Sequence, residues 1–265
     1  MILSIKDLIF RYRDKTILDG IDLQINPGEI VGILGPNGCG KTTFLKHLNK
    51  NLAPNSGVVY LEGVPLSELK KKEIARKVSA VPQGNEIRFA FTVRDIVSMG
   101  RMPFQNQFSM ESSEDRKIVD DALRHTNLWD MQNNPINQLS GGERQRAIIA
   151  RALAQQPKVL LMDEPTNHLD INMQFEVLDL VYSLSKSHNM TVVLVSHDLP
   201  MASRYCDRIA LIYEHRIMCY GTPEEVLTPE NMRKVFNVEA DLCTDEITGR
   251  RTVHLHGVAN KDKSA

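Results

Sequence analysis

The stretch "GEIVGILGPNGCGKTTFLKHL", Gly28 to Leu48, decides the fold. Its first half, "GEIVGIL", is a dense apolar run of the kind a buried strand presents, and it ends in glycine-rich sequence. After Lys41 the apolar side chains Phe44, Leu45 and Leu48 recur at helical spacing. Between them Gly35, Pro36, Asn37, Gly38, Cys39, Gly40, Lys41, Thr42 and Thr43 fit G-x-x-x-x-G-K-[ST]. A strand, a glycine-rich turn and a helix in that order form an anion cradle. The glycines let several backbone N–H groups converge, and the helix N-terminus favours negative charge at the same place. Lys41 is then expected to reach the β and γ phosphates of a nucleotide, and Thr42 to offer its hydroxyl to Mg2+.

Outward from this loop, the chain has an ordinary composition: 265 residues, 42% hydrophobic and 25% charged, enough for one or two domains. With 32 basic against 33 acidic side chains the formal net charge is -1, which gives no general attraction to nucleic acid or an anionic membrane. No apolar run nears the roughly 18 residues that span a bilayer, and "MILSIKDLIFRYRDK" lacks a basic end followed by an apolar block, so neither insertion nor export is expected. Cys39, Cys206, Cys219 and Cys243 form no C-x-x-C pair, and reduced thiols are expected rather than a disulfide scaffold or zinc site. Cys39, beside Lys41 and a helix N-terminus, is expected to favour the thiolate.

Ahead of the loop, Ile21, Leu23 and Ile25 alternate with polar residues as in a half-buried strand, and "GVVYLEG" follows the loop helix as another. From Gln83 to about Ala150 strand signals fade. Thr92 with Asp95 and Ser140 with Glu143 read as capping boxes, and a charged helical segment, "SSEDRKIVDDALRH", lies between them. The second box opens "LSGGERQR", Leu139 to Arg146. Gly141 and Gly142 there each cost up to about 1 kcal/mol against alanine, so something is expected to approach the bare first-turn amides closely. "KVLLMDEP" and "TVVLVSHD" are buried strands separated by a helix carrying Phe175, Leu178, Val181 and Leu184, the rhythm of a parallel sheet. Asp163 and Glu164 are placed at its carboxyl edge, where α/β proteins bind ligands. "RIALIYEHRIMCYG" predicts two strands joined by a turn. "TPEE" and "TPEN" predict short helix starts, "ITGRR" a last hairpin turn, and Lys70 to Lys72 a solvated helix face.

Together these motifs resemble, over essentially the whole chain and in the family's order, the ATP-binding-cassette ATPases. Gly35 to Thr43 is similar to Walker A, "LLMDE" to Walker B, "LSGGERQR" to the signature, Gln83 in "VPQG" to the Q-loop, Asp170 in "NHLD" to the D-loop and His197 in "VSHD" to the switch histidine. On residue type alone Gln83 reads as a polar loop residue, His197 as a strand-end histidine, and Tyr12 equally as core or stacking platform. The resemblance implies that Tyr12 stacks on adenine and that Asp163, Thr42 and Gln83 attend Mg2+. It further implies that Glu164 is the base for the attacking water, with His197, Gln83 and Lys41 beside it. Ser140, Gly141, Gly142 and Glu143 would meet the ATP of a second copy, because cassettes of this family pair head to tail.

The implied fold is α/β: a mainly parallel core sheet, an N-terminal antiparallel β subdomain and a helical insertion. An ATPase domain is expected over residues 1–225, with the insertion at about 84–150, and a short C-terminal extension over 226–265. "FTVRDIVSMGRMPF", Phe91 to Phe104, resembles the insertion of cassettes that serve importers of iron-siderophore complexes, haem and cobalamin, and related cassettes carry oxyanions. The implied partners are a second copy, polytopic permease subunits and, indirectly, a periplasmic or extracellular binding protein. These would hold the chain at the cytoplasmic face of the membrane, with no nucleic acid involved. The other reading is a soluble cassette outside transport, such as one in iron-sulfur assembly. His254 and His256, on alternate positions without an acidic or cysteine cluster in sequence, are not expected to bind metal.

Overall fold

In a computed structural model the described residues are 1–84, 91–105, 111–246, 249 and 251–259. Of "ITGRR", residues 247, 248 and 250 lie outside this set.

Among the described residues the strands form three sheets. The core sheet has the order β10-β9-β3-β8-β7-β6. Its members are β3 (Ile30–Leu34), β6 (Val78–Val81), β7 (Val159–Asp163), β8 (Thr191–Val195), β9 (Arg208–Tyr213) and β10 (Arg216–Gly221). All neighbours are parallel except β9 and β10, the hairpin expected from "RIALIYEHRIMCYG". The apolar runs follow from burial on both faces. Ile30, Leu160, Met162, Val192 and Leu194 enter one core, and the alternating Val31, Ile33, Leu161, Val193 and Val195 enter the other.

The second core is closed by a sheet in the order β2-β1-β4-β5, antiparallel throughout: β1 (Leu3–Tyr12), β2 (Lys15–Ile25), β4 (Ser56–Leu61) and β5 (Val64–Pro65). Ile21, Leu23 and Ile25 are buried while Asp22 and Gln24 are exposed, the alternation of a sheet with one wet face. Helix α1 (Lys41–Leu48) fills the space between the sheets with Phe44, Leu45 and Leu48. The short α2 (Lys71–Ala75) precedes β6, with Lys70 to Lys72 exposed as expected.

The other face of the core sheet carries α3 (Val93–Ser98), α4 (Ser113–His125), α5 (Gly141–Ala154), α6 (Ile171–His188) and α7 (Leu199–Tyr205). Thr92, Ser112 and Ser140 each cap their helix within a complete capping box. Gly100, after α3, is required by crowding: a Cβ there would lie 2.2 Å from the Arg151 carbonyl oxygen in α5. Arg101 is buried, donates to Asp115 at 2.8 Å and to the Ala154 carbonyl at 2.8 Å, and stacks on Phe104. The Gly-Arg pair in "TVRDIVSMGRMP" therefore has a packing role within the chain. Thr222 and Thr228 cap short helical turns, and β11 (Val238–Thr244) and β12 (Arg251–Val258) form a hairpin laid on α7.

Candidate active site

Four parallel neighbours, β3, β8, β7 and β6, put their carboxyl ends along one edge of the core sheet. The residues that follow those ends are Gly35 to Thr43, Ser196 and His197, Glu164 beyond the terminal Asp163, and Gln83. Sheet order alone thus gathers groups from four distant parts of the sequence. They surround an open cavity of about 610 Å³ with walls from the phosphate loop, Gln83, Glu164, Asn167, His168 and His197.

The loop geometry depends on Gly40, whose φ is 106° and where a Cβ would sit 2.9 Å from the Ile17 carbonyl oxygen. Its carbonyl accepts the first helical hydrogen bond, from the Phe44 N–H at 2.8 Å. The Lys41 ammonium, buried, donates to the carbonyls of Gly35 at 2.8 Å and Pro36 at 3.0 Å, which aims its stem back over the loop.

Cys39 does not meet the expectation of an activated thiolate. It is buried, and burial pushes its thiol up more than the neighbouring Lys41 charge lowers it.

Asp163 accepts from the Thr42 hydroxyl at 3.1 Å and is buried. Burial pushes its carboxyl up, Thr42 pulls it down, the adjacent Glu164 charge pushes it up, and Lys46 and Lys41 pull it down. A buried carboxylate beside a hydroxyl suits a small hard cation that takes few protein oxygens and keeps water and phosphate as its other ligands. Among the described residues no group of three or more His, Cys, Asp or Glu is placed to hold a metal ion.

Glu164 has a positive φ of 48°, and its N–H donates to the Val195 carbonyl at 3.0 Å, tying the end of β7 to β8. Gln83 donates to its Oε2 at 2.8 Å, and Asn167 donates to the same oxygen. Oε1 faces His197 Nδ1 at 3.5 Å. Sequence reasoning missed Asn167. The available signal was "EPTN", in which proline at the second position favours a tight turn; the Asn167 N–H closes that turn on the Glu164 carbonyl at 3.2 Å.

The signature lies elsewhere. Ser140 Oγ accepts from the Glu143 N–H at 3.3 Å, and Glu143 accepts from the Ser140 N–H at 2.8 Å, which holds the Glu143 carboxyl below its usual range. Ser140 and Gly141 are exposed and form no wall of the phosphate cavity. Gly142, expected to be small for a visitor's sake, is buried within its own chain: a Cβ there would lie 2.6 Å from Met173 Sδ. At Gly141 a Cβ would meet only Leu169, at 3.6 Å. Asp170 is exposed at the start of α6. Tyr12 is 49% exposed, packed edge-to-face on Phe10, so it is no core residue, and it too stands outside the cavity walls.

The family model described as "ABC transporter" matches residues 18–167. The petrobactin import ATP-binding protein of Bacillus anthracis is 38% identical over 255 residues, covering 96% of this chain and 93% of its own. Among solved structures, a chain of an ABC transporter described as metal-chelate type, in an inward-facing conformation, superposes with a TM-score of 0.85 at 31% identity, covering 97% of each chain. A dimeric ATP-binding cassette in a post-hydrolysis state, bound to ADP and Pi, superposes with a TM-score of 0.72 at 30% identity, covering 83% of this chain and 98% of its own. With its phosphate loop, sheet-edge carboxylates and helical insertion arranged in this way and matched over nearly its whole length, the chain belongs to the ABC transporter family, as an ATP-binding and ATP-hydrolysing cassette.

Proposed function

We propose that the chain is the ATPase subunit of an importer for metal chelates of the iron-siderophore class, working as a pair of copies beneath a membrane-spanning permease. The observation that carries the catalytic part is Glu164, held at the mouth of the phosphate cavity with Oε2 taken by two amide donors and Oε1 turned toward His197 Nδ1 at 3.5 Å. A water placed between Oε1 and the γ-phosphate gives its proton to Glu164 as its oxygen attacks phosphorus, and the β–γ bridging oxygen leaves with ADP. Lys41 and the loop amides neutralise phosphate charge, His197 holds the γ-phosphate and orients the water, and Gln83 links that water to the insertion. Thr42, Asp163 and Gln83 would hold Mg2+, which supplies further charge neutralisation on the phosphates. Tyr12 stacks on the adenine.

Because Ser140 and Gly141 face outward, the second half of the nucleotide's surroundings comes from another copy, whose helix terminus and bare amide suit a phosphate. Residues 84–150 act as the moving insertion and 226–265 as a packed extension. A groove of about 480 Å³ lined in part by Ala75, Met99, Met102 and Gln155 opens between α2, β6 and the insertion, with Met102 65% exposed. This groove is where a permease helix docks, holding the chain to the cytoplasmic face of the membrane; a binding protein on the far side delivers cargo. ATP drives closure because it binds the closed pair better than the open one. The iron-chelate assignment rests on the "TVRDIVSMGRMP" resemblance and on the relatives named for petrobactin import and metal chelates.

The experiment is Glu164→Gln, measured for phosphate release, ATP affinity and dimer content. It is expected to bind ATP, stay dimeric and turn over at least about a hundredfold more slowly. Parental turnover in this variant overturns the assignment of Glu164.

A further inference from the structure

We propose that Asn167 is the positioning residue of the catalytic carboxylate: its side-chain amide, together with Gln83, ties down Glu164 Oε2 and so leaves Oε1 as the oxygen that takes the proton from the attacking water. The inference rests on the reading of Glu164 as the base.

The two hydrogen bonds that the described residues give the carboxylate fall on one oxygen, and His197 Nδ1 stands 3.5 Å from the other. Gln83 Nε2 reaches Oε2 at 2.8 Å across the site from the end of β6, and Asn167 Nδ2 reaches it from the same turn. The two donors differ in kind. Gln83 stands at the start of the helical insertion, in a segment that the proposed cycle moves. Asn167 sits in a turn closed by its own N–H on the Glu164 carbonyl, with Pro165 limiting the backbone between them and Leu169 N–H bonding back to Thr166 at 3.2 Å. The neighbouring Pro165 and Thr166 are buried, so the turn is anchored. Asn167 therefore keeps Glu164 aimed through the stroke, including the part in which Gln83 withdraws. A carboxylate held by Gln83 alone would lose its direction whenever the insertion moved; one held by a donor three residues away on the same turn does not.

Asparagine and aspartate are nearly equal in size and in preference for turns, so Asn167→Asp keeps the turn and the volume but replaces an N–H donor with a carboxylate that repels Glu164, while Asn167→Ala removes the donor without adding charge. If Asn167 only shapes the turn, the uncharged Asn167→Ala keeps the parent's kcat. If its amide positions Glu164, the kcat of Asn167→Ala falls by about ten- to a hundredfold, as misplacement of a reacting group does, and that of Asn167→Asp falls comparably. In both, KM for ATP, the affinity for a non-hydrolysable ATP analogue and the unfolding midpoint stay within error of the parent. Glu164→Gln is measured alongside. A dead Glu164→Gln with a fully active Asn167→Ala overturns this inference and leaves the base assignment standing; so does a loss confined to KM. A fully active Glu164→Gln overturns the base assignment first, and this inference with it.

Discussion

At the scale of single residues, burial and charge compete in the phosphate loop, and Cys39 shows which prevails. Lys41 favours the thiolate, but the sulfur is packed under the loop, where desolvation opposes any charge it acquires. Folded protein at neutral pH is expected to be alkylated by iodoacetamide well over about tenfold more slowly at Cys39 than the same chain in denaturant, followed by peptide mass analysis. Labelling at equal rates in both states would contradict this placement. The expectation from sequence erred because adjacency to Lys41 is visible in a string of letters, whereas burial of the sulfur in the core between the two sheets appears only once the chain is folded. Asn167 escaped notice for the same reason: its role depends on a turn that folds its amide back three residues. Lys41, Thr42 and Asp163 were legible because a local pattern or an apolar run ending in acid fixes each of them.

At the scale of elements, Arg101 ties the start of α4 to the end of α5: its side chain is 6% exposed and that of its partner Asp115 12%, and it also donates to the Ala154 carbonyl. Asp115 also completes the capping box of α4, so one carboxylate fixes both the start of that helix and its distance from α5. Arg101→Ala leaves a buried acid unpaired and is expected to cost about 3 to 5 kcal/mol in denaturant unfolding. The Arg101 hydrogen bond holds the Asp115 carboxyl below the usual range, with burial opposing and Ser112 assisting. The sign follows: this stabilisation is present above the unfolded-state pKa of roughly 3.9 and is lost as pH falls through the lower folded value. Asp115→Asn should therefore lower stability at pH 7 and flatten its acid limb; an unchanged acid limb would remove the pair from the account. The capping boxes at Thr92 and Ser140 were readable because each is complete within four residues. The crossing of Gly100 over the Arg151 carbonyl was not, because it joins two helices distant in sequence.

At the scale of the whole molecule, the separation of Ser140 and Gly141 from the phosphate cavity leads to a complementation test. Lys41→Ala abolishes one half of the site and Ser140→Phe with Gly141→Phe the other, so each preparation alone should be inactive. Two-fold pairing reunites an intact loop with an intact signature in the mixed dimer. Mixing the two preparations should then recover phosphate release; a mixture as silent as its components would mean that the pocket is completed some other way. The general plan of the sheets was legible from apolar runs and alternation, whereas the order of strands came only with the structure, since no local pattern says that β8 lies between β3 and β7. That order has a metrical consequence. Adjacent strands stand roughly 4.8 Å apart, so the sheet works as a ruler whose divisions fix how far the lysine, histidine, carboxylates and glutamine stand from one another. Side-chain substitution cannot alter that graduation; only the lengths of the turns beyond each strand end can, and those turns are where cassettes built on this ruler have room to differ in rate.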